Sequence, residues 1–227
     1  MSDNNCPCRV IGPGTFPLDD PDGSKSKAEL EKIFQEKRGT EQVMVGLDMS
    51  LTGTGFALKE GAKITLETIK TTTSTCTDDL ARLKHIVSEV MKRIPQNVNM
   101  ICIEDFFTPA NAFQIGAAIK LAMLGAVIRL ALYDAKFPFY IVAPSQIKKF
   151  VTGSGASQKS IIIREVFKRW GLDCKDDNQA DACTLAHIAD QLCFLPADAP
   201  KYQIEVVKKV LNERPCYNIP GKPCRDS

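Results

Sequence analysis

Apolar residues recur along this chain in two rhythms. Residues 43–48 are an almost unbroken apolar run ending on Asp48, and residues 99–104 form a second run ending on Glu104. Short runs of this kind predict strands buried on both faces. Residues 54–59 and 63–70 alternate about a Glu60-Gly61 turn and predict a hairpin after the first strand. Residues 137–142 predict a fifth strand. The helical rhythm begins with Leu80, Leu83, Ile86, Val87, Val90, Met91 and Ile94, behind a capping region at Thr77-Asp78-Asp79, and predicts a helix over 78–94. Further helices are predicted over 109–133, 144–151, 157–170 and 178–192. The first of these carries small residues, Ala117, Ala118, Ala122, Gly125 and Ala126, that allow close packing.

A hairpin followed by alternating helices and strands predicts an α/β domain, a mixed five-stranded sheet with helices on both faces. That domain spans residues 41–195. Residues 1–40 form a polar arm with turn formers and one short amphipathic helix over 26–37, and residues 196–227 form a tail with one helix over 202–212. The 227 residues, 44% hydrophobic and 25% charged, suffice for one substantial core and exclude wholesale disorder. Lys and Arg number 29 against 27 for Asp and Glu, a net charge of +2. A bulk polycation is excluded, so nucleic-acid binding requires a local basic patch. Lys120 and Arg129 interrupt the most apolar stretch, residues 115–132, so no membrane span is expected. The N-terminus lacks the profile of a secretory signal. Nine cysteines are an odd number, with Cys76, Cys102, Cys174, Cys183 and Cys193 spread across core elements, and are expected as reduced thiols in a cytoplasmic protein. A zinc site joining Cys6 and Cys8 to Cys216 and Cys224 is disfavoured, because one intervening residue is tighter than zinc pairs use.

Three carboxylates stand where chemistry is expected. Asp48 and Glu104 end apolar strands, where open sheets present a crevice. Asp181 lies near the start of an otherwise apolar helix. Each taken alone fits a cap or a turn residue. Together, buried acids demand pairing or metal, and oxygen ligands suit Mg²⁺ or Mn²⁺. Two such ions about 3.5–4 Å apart support phosphodiester hydrolysis. The Gly and hydroxyl residues following Asp48 permit close phosphate approach, an opening shared by sugar-kinase and actin-type ATPases. Those enzymes need a second phosphate loop and a second domain, and neither is found here.

The stretch over 142–159 separates these readings. It contains Pro144-Ser145-Gln146-Ile147-Lys148-Lys149, then Gly153-Ser154-Gly155, then Lys159. This run resembles the RuvC family of Holliday junction resolvases, crossover junction endodeoxyribonucleases with a ribonuclease H-like fold. Asp48 followed by Thr54 and Gly55, Glu104 followed by Phe107, and Ala180-Asp181-Ala182 match the family's other motifs in order, covering about residues 43–193. The two tails depart from the compact bacterial members and in that respect resemble a phage or viral variant.

The resemblance implies a Mg²⁺-dependent nuclease, with Mn²⁺ substituting and two ions per site, that nicks four-way junctions symmetrically as a homodimer without a small-molecule cofactor. Asp48, Glu104 and Asp181 would be metal ligands. The family's fourth ligand position holds Asn178, with Asp177 beside it, and either residue fits. Lys148 and Lys159 match basic residues near the scissile phosphates, with Lys159 among the catalytic group. Lys149, Ser154 and Arg164, with Lys168 and Arg169 behind them, extend the expected DNA contacts. Phe107 corresponds to a wedge that stacks at the junction centre, although core filling explains it as well. The small-residue helix offers a dimer surface or simple core packing. His85 and His187 are expected to be structural. A branched- or flap-DNA nuclease without junction specificity, and an inactive junction-binding protein, remain as alternatives.

Overall fold

A computed structural model of the chain describes residues 42–72, 78–106, 115–196, 198–213 and 216–218. The polar arm with its 26–37 helix, residues 109–114 of the expected long helix, and Phe107 lie outside these residues. The described strands are β1 (Val43–Asp48), β2 (Gly53–Glu60), β3 (Lys63–Lys70), β4 (Met100–Glu104), β5 (Phe139–Val142) and β6 (Cys216–Tyr217). The helices are α1 (Asp79–Arg93), α2 (Ile115–Asp134), α3 (Pro144–Thr152), α4 (Lys159–Trp170), α5 (Asp177–Cys193) and α6 (Lys201–Glu213).

The sheet order is β3-β2-β1-β4-β5-β6. Strands β1, β4 and β5 run parallel, while β2, β3 and β6 are antiparallel to their neighbours. The mixed sheet is as expected, with one addition. The two-residue β6 pairs with β5, and Asn218 beyond it donates to the carbonyls of Tyr133 and Phe137, each at 3.1 Å. So short a strand carries no periodicity and is invisible in sequence. The hairpin turn falls at Gly61, whose φ of 56° suits a residue without Cβ.

Alternation along the strands divides the core. Val43, Val45, Leu47, Ile101, Ile103 and Ile141 face α1 and α2. On the other face Met44, Met100, Cys102, Tyr140 and Val142 pack with α3, α5 and α6. Period-2 patterning therefore holds even though both faces are buried. Helix boundaries follow local chemistry. Asp78 caps α1 by accepting from the Ala81 N–H at 2.7 Å, and Asp176 caps α5 through the Gln179 N–H at 2.8 Å. Gly153 and Gly171 end α3 and α4 in the left-handed conformation. The tail helix α6 buries Val206, Val207 and Val210 in the second core.

Helix α5 lies directly against the middle of the sheet. A Cβ on Gly46 would stand 2.0 Å from the Ala182 carbonyl oxygen, and one on Gly55 would stand 2.1 Å from that of Asn178. Both would strike helix backbone, so no side-chain adjustment relieves the overlap. Ala57, Ala182 and Ala186 fill the remaining contact. We expect Gly46→Ala to destabilise the fold by at least the ~1–3 kcal/mol typical of core overpacking. Urea denaturation against the wild type measures it, and an unchanged midpoint would contradict the close packing.

Candidate active site

Parallel pairing brings the first two carboxylates together. Leu47 lies opposite Ile103 in the ladder, so the next residues, Asp48 and Glu104, end adjacent strands at the same edge of the sheet. Their parity is that of Gly46 and Cys102, which places both side chains toward α5. Asp181 sits one turn into α5, and Asp177 and Asn178, four and three residues earlier, share its helix face. The acids that the sequence singled out are thus assembled by one parallel strand pair and one helix.

The electrostatics of the group are unfavourable as it stands. Asp48 is 6% exposed. Burial raises its carboxyl well above the usual range, and the hydrogen bond to Glu104 and the Glu104 charge raise it further. Glu104 is raised by burial, with the Asp48 hydrogen bond, Lys148 and Lys159 opposing. The pair therefore resists carrying two negative charges at once. Asp181 is pushed up to about 7, first by burial and then by the charges of Asp48 and Asp177. Its Oδ1 is buried without a hydrogen-bond partner. Among the described residues no three acidic, histidine or cysteine side chains form a ready-made metal cage. The donor set nonetheless fits a hard cation: clustered carboxylate oxygens, one orphaned, with lysines at the margin.

Lys159, at the start of α4, donates to Asp177 and is held charged by that contact, while the same contact lowers the Asp177 carboxyl. Its charge also acts on Asp48, Glu104 and Asp181, and that of Lys148 acts on Glu104 and Asp181. Both lysines therefore flank the carboxylates. Lys149 turns away and pairs with Glu205 of α6 at 2.8 Å. Arg164 is exposed, 3.7 Å from Glu165. Ser154 lies in an exposed turn whose amides are largely committed: Gly153 to the Lys149 carbonyl, Ser154 to Thr152 Oγ1 and Ala156 to Ser154 Oγ. Arg169 donates to the Val151 carbonyl and lies over Tyr202. His187 stacks on Trp170 with ring centres 3.7 Å apart, and burial first, then Lys59, depresses it to about 3. It is a neutral packing residue.

Sequence patterning missed two supports. Arg129 of α2 reaches Asp105 at 3.1 Å and lies over the Phe106 ring, holding the segment just beyond Glu104. The second is a set of hydrogen bonds from Thr68 of β3 to the start of α5. Neither forms a local motif, because each joins residues distant in sequence. The signals present were weak ones, an Arg within an apolar helix and a Gln behind an Asp cap.

Residues 44–189 match the family described as Crossover junction endodeoxyribonuclease RuvC. The chain belongs to the RuvC family. The match contains Asp48, Glu104 and Asp181 and excludes both tails. The RuvC of Sodalis glossinidius (strain morsitans) is 31% identical over 160 residues, covering 69% of this chain and 90% of that protein. The RuvC of Histophilus somni (strain 129Pt) is 30% identical over 153 residues, covering 65% and 77%. Among solved structures, "T. thermophilus RuvC in complex with Holliday junction substrate" superposes with a TM-score of 0.51 at 21% identity, over 64% of this chain and 90% of that one. That likeness establishes a RuvC-like, ribonuclease H-like fold. RuvC membership removes the ATPase and sugar-kinase alternative.

The raised Asp181 carboxyl has a consequence for stability. The folded protein holds its proton up to about pH 7, whereas an unfolded Asp releases it near 4. Stability from this group is fully present below about pH 4 and is lost as pH rises through about 7. In metal-free buffer, Asp181→Asn is expected to flatten that decline and to melt above the wild type at pH 8. Thermal denaturation across pH 4–8 checks it, and parallel profiles for the two proteins would refute the assignment.

Proposed function

We propose that this RuvC-family endonuclease resolves four-way DNA junctions by paired symmetric nicks, as a divalent-metal-dependent homodimer. The observation that carries the metal reading is the convergence of Asp48, Glu104 and Asp181 around an unpartnered buried carboxylate oxygen. Asp48, Glu104 and Asp181 would hold Mg²⁺ or Mn²⁺, which when bound would supply the positive charge for water activation and phosphodiester neutralisation. Asp177 is engaged by Lys159, which favours Asn178 as the fourth ligand. Lys148 and Lys159 draw the scissile phosphate toward the carboxylates, and Lys159 exchanges Asp177 for phosphate oxygen as DNA arrives. Arg164 and Lys168 continue the basic surface along α4, and Lys149 joins it when released from Glu205. Phe107 follows the Phe106 that Arg129 holds, consistent with a stacking role at the junction centre. Residues 41–195 form the nuclease domain, with α6 as an adjunct packed on it. A cytoplasmic location suits buried cysteines kept as thiols.

Helix α2 supports the dimer. Ile115, Ile119, Met123, Val127, Leu130 and Tyr133 recur along one side at 40–59% exposure. With 20 residues, the helix is long and apolar enough to cross a membrane. Its other side, however, carries Leu124, Ile128 and Leu132 into the core, so lipid cannot surround it. A contiguous apolar stripe of this kind calls for a protein partner, and a second copy provides two-fold-related active sites for two strands.

Cleavage of a labelled four-way junction in Mg²⁺, beside linear and flap DNA, tests this reading. Paired nicks in the junction are expected, and Asp48→Asn should abolish cutting while leaving junction binding within about twofold. Equal cutting of linear or flap DNA would indicate a less selective nuclease, and binding without cutting an inactive scaffold. Separately, Val127→Glu combined with Leu130→Glu should halve the mass measured by light scattering and convert paired nicks to single ones. An unchanged mass would refute the α2 interface.

A further inference from the structure

We infer that Thr68 is a positioning residue for the metal site, acting through a hydrogen-bonded clamp that fixes the first turn of α5. This inference rests on the metal-dependent reading above. Thr68 Oγ1 donates to Asp176 Oδ2 at 2.9 Å and accepts from Gln179 Nε2 at 3.0 Å. Asp176 Oδ1 accepts from the Gln179 N–H at 2.8 Å, and Gln179 Oε1 accepts from the Lys175 N–H at 3.1 Å. The clamp therefore closes on itself, with Gln179 buried at its centre.

An N-cap alone needs only one Asp oxygen. Here the second oxygen, and the amide nitrogen of the third helical residue, reach to an edge strand more than a hundred residues away in sequence. Thr68 lies opposite Gly55 in the ladder, and Gly55 lies beneath the Asn178 carbonyl. The two supports are complementary. Glycines set how closely the helix approaches the sheet, but a smooth glycine bed resists neither sliding nor rotation. Directional hydrogen bonds from β3 resist both. Asn178 and Asp181 project from the turn so held, next to Asp48 on the strand paired with β2. Ligand sets need their geometry held within about 0.5 Å, and outer hydrogen-bond partners commonly change metal affinity by about 10–100-fold.

The test is Thr68→Val, which removes the hydroxyl at nearly constant volume, with Thr68→Ser, which restores it. Mn²⁺ binding to the full chain without DNA is read by calorimetry and by the paramagnetic resonance of free Mn²⁺. Junction affinity is read separately in EDTA. The expected result is an affinity for Mn²⁺ about tenfold weaker in Thr68→Val, recovered in Thr68→Ser, with junction affinity in EDTA unchanged. Equal Mn²⁺ affinity in wild type and Thr68→Val would overturn the clamp and leave the metal reading intact. Parallel loss of Mn²⁺ and junction binding, not recovered by Thr68→Ser, would show a general structural role and also overturn it. If the wild type takes up no Mn²⁺ that Asp48→Asn abolishes, the metal reading itself fails and the inference with it.

Discussion

The contact between α5 and the bare backbone of β1 and β2 governs the rest of the molecule. Gly46 and Gly55 let the helix backbone lie where side chains would otherwise stand. That proximity buries Asp48 at the end of its strand and places Asp181 above it. The same proximity raises both carboxyls and leaves one Asp181 oxygen without a partner. The site is thus held in an electrostatically costly arrangement by apolar packing elsewhere, in Leu185, Ile188, Ala189 and Leu192 farther along the same helix. Stability and reactivity draw on one element, with its tail in the core and its head at the site.

Much of this was legible in the chain. Apolar runs ending in Asp48 and Glu104 identified both strands and both acids, because a strand of this length must be buried and its terminal carboxylate must lie at the sheet edge. The helices read over 78–94, 144–151, 157–170 and 178–192 end within two residues of those observed, with Asp78 as the first cap. The illegible parts depend on tertiary pairing. Strand β6 is two residues long and exists only because β5 offers it an edge. Gly46 and Gly55 resemble any strand glycine until the helix above them is known. Lys149 follows Lys148 in the chain, and only the fold shows that one step around α3 sets it against Glu205.

His187 shows why residue type alone misleads at such sites. His187 shares α5 with Asp181 but lies beyond it, where Trp170 and the Lys59–Asp190 ion pair surround it. Burial removes its capacity to carry a proton at neutral pH. The groups at the site whose proton affinities are raised are the carboxyls of Asp48, Glu104 and Asp181, by burial first and by neighbouring charge second.

The sheet margins carry a different message. Among the described residues, one margin is the two-residue β6, and the other is β3, which exposes Lys63, Glu67 and Lys70. Neither is a long, flat apolar border of the kind that recruits strands from other chains. Such margins disfavour edge-to-edge strand pairing between copies of this protein. Among the described residues, six of the eight exposed large apolar side chains lie on α2, so apolar exposure gathers on the curved face of one helix rather than along a strand.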